Sequence, residues 1–121
     1  TKALKRRHKR FVQGARLAHT LNAEARHEVR IDLKKLRYTL DFFESLYPKK
    51  RVQAFSRALA STQELLGHMN DLATAEVLIA ERDSPVIDVP LAWAKGRMSA
   101  YLEMLPSALK PVIKLDTPWE K

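Results

Sequence analysis

Cysteine is missing from the 121-residue chain. That excludes a disulfide framework and all thiol chemistry, and it is compatible with a reducing compartment. Glycine occurs only three times, so there is no glycine-rich phosphate loop. Runs of β-branched residues are few, which argues against a sheet. No apolar run approaches the ~20 residues a membrane helix needs. The carboxylates are scattered rather than clustered as magnesium-dependent phosphoryl transfer needs, and no nucleophile–base constellation is evident. The chain is therefore expected not to be an enzyme and to need no cofactor.

Positive charge is what the chain has in excess. The net charge is +8 at pH 7, and it is unevenly placed. Residues 1–37 carry 12 Lys or Arg against three acids, whereas residues 38–121 carry 10 against 11. A face so biased is suited to a polyanion: nucleic acid, an acidic membrane surface or a phosphate polymer. The first residue is Thr1 rather than Met, which reads as a domain taken from a longer chain. The length suits a single domain over residues 1–121.

Apolar residues recur at helical spacing almost throughout. A first helix is expected from about Lys2 to His19, with Leu4, Phe11, Ala15 and Ala18 inward. A second, capped by Asn22, is expected over Ala23–Tyr47, with Val29, Leu33, Leu36, Leu40, Phe43 and Tyr47 as its core stripe. A third is expected over Lys50–Leu66, stopped by Gly67, and a short fourth after Asn70. "DSPVIDVP" reads as a loop. A fifth helix runs over Leu91–Leu105, broken by Pro106 and continuing raggedly to Leu115. Trp119 is expected to dock on the bundle. The fold class is all-α, an antiparallel bundle of about four to five helices.

The stretch "ARHEVRIDLKKLRYTL" stacks Arg26, Arg30, Lys34 and Arg37 in one row beside His27. Like charges at i, i+4 weaken a helix by roughly 0.2–0.5 kcal/mol per pair, so something outside should compensate. On a wheel, His27, Arg30, Lys34 and Arg37 share a strip about 80° wide and roughly 15 Å long. Ile31, Tyr38 and Phe42 form a second apolar strip beside it, as if the cations were set in a groove. The competing reading is an ordinary solvated face. Acids that would neutralise such a face are scarce here, with Asp41 alone placed to serve Arg37.

The first helix repeats the theme in "KALKRRHKRF", where Lys2, Lys5, Lys9 and Arg16 share a strip. Placed antiparallel to the second helix, it would supply the other wall of an electropositive channel. "HEVRI" lacks the second histidine of a zinc-protease helix, and His8, His19 and His68 have no complementary spacing, so no metal site is expected. His27, at the end of the cation row, suits a hydrogen-bond donor to phosphate.

"HEVRIDLKKLRYTLDFF" resembles the signature of the CHAD family, the conserved-histidine α-helical domain. His27, Arg30, Ile31, Lys34, Leu36, Arg37 and Tyr38 match it. "TQELLGHMNDLATAEVLI" is similar to a second element of that family through Gln63, Leu66, Gly67 and Asp71. "DTPWEK" is similar to its closing element through Pro118 and Trp119. The resemblance implies an all-helical domain of two four-helix halves facing across a basic pore, non-catalytic, binding inorganic polyphosphate, and fused to or associated with triphosphate-tunnel enzymes. A complete domain carries two such signatures, so this chain looks like the C-terminal half.

Carried over by position, His27, Arg30, Lys34 and Arg37 would face phosphate, with Lys2, Lys5, Lys9, Arg16 and Tyr38 as secondary contacts. A homodimer could rebuild the pore. A cytoplasmic location, in company with polyphosphate granules, is expected on the same reading. Two other functions use the same basic face: a nucleic-acid-binding bundle, or a scaffold docking an acidic protein. Against the first, no aromatic residues alternate with the cations as stacking platforms.

Overall fold

The computed structural model describes residues 1–82 and 88–120. Four α-helices make up the described chain: α1 (Lys2–Leu17), α2 (Ala23–Phe43), α3 (Lys49–Ala80) and α4 (Asp88–Lys114). Short 3-10 turns at Ala18–Thr20 and Glu44–Leu46 join the first three. The fold is an all-α helical bundle, as the periodicity implies.

Close pairs fix the directions. Gly14 meets Val29 and Arg10 pairs with Asp32, so α1 and α2 run antiparallel. Arg37 bonds to Gln63 while Arg30 lies opposite Gly67, so α2 and α3 do too. Helix α4 packs on α3 and α1, closing the bundle. Its core joins Leu4 and Phe11 of α1, Leu33 and Leu36 of α2, Phe55 and Leu59 of α3, and Leu105 and Leu109 of α4.

Local chemistry explains the ends. The Asn22 carboxamide accepts from the Ala25 amide at 2.8 Å, capping α2 as expected. Helix α2 stops at Phe43 rather than Tyr47. Pro48 disfavours helical geometry at the residue before it, Tyr47 is extended, and the last turn tightens to a 3-10 turn.

Two expected breaks are absent. Gly67 does not end a helix: α3 runs unbroken for 32 residues, merging the expected third and fourth helices. Glycine stops a helix by taking a left-handed conformation, and none of the three glycines has positive φ. Gly67 instead lies on the face that meets α2. Likewise α4 continues through Pro106 and Pro111. Each proline removes one helical hydrogen bond, and the burial of Leu105, Leu109 and Val112 offsets that loss. Of the expected loop "DSPVIDVP", residues 83–87 lie outside the described residues, and Asp88–Pro90 open α4.

Trp119 docks. Its ring meets His8, Tyr47 and Phe55 at centroid distances of 5.5, 6.5 and 5.6 Å. Arg51 of α3 donates to the Glu120 carbonyl. The tail thereby closes one end of the bundle.

Candidate functional site

The cation row of α2 divides into two parts. Arg26 is only 8% exposed. It donates to the Leu21 carbonyl and approaches the Met98 sulfur at 3.7 Å, tying the α1–α2 turn to α4. Burial pushes its guanidinium pKa down, and the nearby Glu76 carboxylate opposes this. Arg26 is therefore a structural cation.

The rest of the row turns to the crease between α2 and α3. Arg37 Nη1 donates to Gln63 Oε1 at 2.5 Å. Arg30 Nε is buried with no partner among the described residues, and a Cβ placed on Gly67 would stand 4.0 Å from it. His27 Nδ1 is likewise buried without a partner among the described residues. His27 shares with Arg26, Leu66, Met69, Asn70 and Ala73 the lining of a cavity of about 10 Å³, room for roughly one water. Lys34, between Arg30 and Arg37 on the same strip, is half-buried. The opposite wall is the α3 stripe Gln63, Gly67 and Asn70, spaced by four and three so that all share one face.

Among the described residues, the only ion pairs within 4.0 Å are Arg10–Asp32 and His68–Glu64. Arg30, Lys34 and Arg37 are thus without carboxylate partners there. Asp41, expected to serve Arg37, does not; Gln63 does. The result is a strip of un-neutralised cations against a neutral polar wall, an arrangement suited to a multiply charged anion.

Helix α1 does not supply the facing wall. Gly14 marks the line of α1 that meets α2. Lys2, Lys5, Lys9 and Arg16 project about 120–180° around the helix from it. All four are exposed, and Arg16 borders a groove with Lys110 and Lys114 of α4. Arg6, Arg7 and Arg10 turn towards α2 instead, on its Asp32 side. Tyr38 is 71% exposed and Phe42 80%, so the second apolar strip is open rather than a packed wall.

The sequence signal missed was the polar stripe on α3. Gln63 and Gly67 were visible as motif matches, while the partnership of Gln63 with Arg37 depends on which helix packs against which.

The family model of the CHAD domain matches residues 1–80, a span that covers α1, α2 and α3. The chain belongs to the CHAD family. That family is associated with polyphosphate binding. Comparison with curated proteins and with solved structures returned no significant match. Both walls of the CHAD crease fall within the matched residues, whereas α4 and the docked tail lie beyond them. Among the described residues, no group of three or more His, Asp or Glu side chains could hold a metal ion, and no helix is long and apolar enough to cross a membrane.

Proposed function

We propose that this CHAD chain is a non-catalytic module that binds inorganic polyphosphate in the α2–α3 crease. His27, Arg30, Lys34 and Arg37 are the phosphate-facing side chains. The observation that carries this reading is the buried, unpartnered Nε of Arg30 opposite a glycine. A buried donor left without a partner costs about 1–3 kcal/mol, and a phosphate oxygen in the crease removes that cost. The same anion offsets the repulsion along the row. The chain acts as the C-terminal half of a two-bundle domain in the cytoplasm, and the open Tyr38 and Phe42 rings belong to the surface that a second half or a second copy covers.

The test is to remove row charges one at a time. Arg30→Gln and Lys34→Gln should leave the unliganded melting temperature unchanged or slightly raised. Both should weaken binding of polyphosphate by about 1 kcal/mol or more, because charge-assisted contacts are lost. Lys35→Gln, on the exposed side, should matter less. Unfolding of the Arg30 and Lys34 variants with intact affinity per folded molecule would make the row structural. Competition among polyphosphate, single-stranded RNA and duplex DNA at matched charge separates this reading from nucleic-acid binding.

A further inference from the structure

Arginine carries five N–H donors in a rigid fork, so its use depends on which donor is held and which are left free. Arg37 has one donor engaged, through Nη1 to the Gln63 carboxamide at 2.5 Å. The choice of acceptor matters. A carboxylate at the same place would orient the guanidinium equally well but would cancel its charge in an ion pair. A neutral amide orients it and leaves the full positive charge for a ligand. Asp41 stands one turn along α2, yet among the described residues no carboxylate lies within ion-pair distance of Arg37. Gln63 is half-buried and shares its face of α3 with Gly67, opposite which the Arg30 Nε has no partner. Two arginines on one strip of α2 thus meet α3 differently: one is held by a neutral acceptor, and the buried Nε of the other has no partner among the described residues.

We infer that Gln63 is a positioning residue that fixes the Arg37 guanidinium for an anion in the α2–α3 crease while leaving its charge un-neutralised. The inference rests on the reading of that crease as a polyphosphate site. It assigns to α3 a part in recognition that is separate from the cations of α2. In metal sites, a neutral or charged outer partner in the same relation orients a ligand and tunes its strength. Here the outer partner tunes a cation.

The experiment is titration of Gln63→Leu, Gln63→Glu, Arg37→Gln and the double variant Arg37→Gln/Gln63→Leu with long-chain polyphosphate across a range of salt concentrations. Gln63→Leu should weaken binding about three- to tenfold while keeping the wild-type dependence on salt, because every cation remains. Gln63→Glu should weaken it more than tenfold and reduce the slope of log affinity against log salt by about one phosphate contact. The double variant should bind no more weakly than Arg37→Gln alone, since the glutamine acts only through that arginine. A purely structural Gln63 would move melting temperature and leave the affinity per folded molecule of Gln63→Leu at the wild-type level. If Gln63→Leu loses the fold, Gln63→Glu carries the test, because it retains an acceptor for Arg37.

Wild-type affinity in both Gln63 variants, with Arg37→Gln still weakened, overturns the role of Gln63 and leaves the site intact. Wild-type affinity in Arg30→Gln and Arg37→Gln overturns the site and this inference with it.

Discussion

Gly14 and Val29 are in such close register that a Cβ added to the glycine would stand 2.8 Å from the valine Cγ2. Val29 is buried and, being β-branched in a helix, has essentially one rotamer. It cannot swing aside, so α1 would have to move off α2. Gly96 has nothing among the described residues within 4 Å of its would-be Cβ. Gly14→Ala should therefore cost about 1–3 kcal/mol despite the better helix propensity of alanine. Gly96→Ala should stabilise by about 0.5–1 kcal/mol. Denaturant midpoints of the two variants check this; equal gains would mean the helices are not in close contact at Gly14.

Arg26 and Arg30 are one helical turn apart and are expected to fail in opposite ways. Removing the Arg26 side chain leaves the Leu21 carbonyl without its donor and removes a positive charge that interacts with Glu76, whose Oε1 already has no hydrogen-bond partner among the described residues. Arg26→Leu should therefore lose about 1–3 kcal/mol of stability with polyphosphate affinity per folded molecule little changed. Arg30→Gln should show the reverse. Melting curves paired with titrations of the same samples distinguish them, and a loss of affinity alone in Arg26→Leu would place it in the site.

His8 links acidity to the docked tail. Its ring packs against Phe55 and Trp119 at 5.7 and 5.5 Å, its Nε2 has no partner among the described residues, and burial holds its pKa below the ordinary 6.5, with Glu120 opposing more weakly. The unfolded chain thus takes up this proton at higher pH than the folded one. Linkage then requires that stability be full above about pH 6.5 and decline as pH falls towards the folded pKa. Melting temperature should drop on going from neutral to mildly acidic pH. Trp119 fluorescence should report release of the tail in the same window, and His8→Phe should flatten the part of the profile due to this group. An unchanged profile in His8→Phe would assign the acid sensitivity elsewhere.

The inward faces of α1 and α2 were legible because Leu4, Phe11 and Ala15, and Val29, Leu33, Leu36 and Leu40, keep helical period without interruption. The cap at Asn22 was legible because it is local, a side-chain acceptor for an amide three residues on. The unity of α3 was not. A glycine after an apolar run has two uses, as a left-handed stop or as a site of close approach, and only the presence of Arg30 across from Gly67 decides between them. The prolines of α4 mislead similarly, since burial of the residues around them outweighs a lost hydrogen bond. For the site, a helical wheel places His27, Arg30, Lys34 and Arg37 on one strip but carries no information about which neighbour that strip meets. Pairing it with the lysines of α1 followed from chain order. The contact at Gly14 sends those lysines elsewhere, and Gln63 emerges as a partner only once α3 is in place.

Gln63 and Gly67 sit near the middle of the 32 residues of α3, a rod about 48 Å long at 1.5 Å per residue. Helices fray from their ends, so on the proposed polyphosphate reading this wall is ordered before the anion arrives, and association has little backbone left to freeze. Its entropic cost falls mainly on the long side chains of Arg30 and Lys34, about 0.5–1.5 kcal/mol for each one immobilised. A joint at Gly67 would have added the ordering of a flexible segment to every encounter.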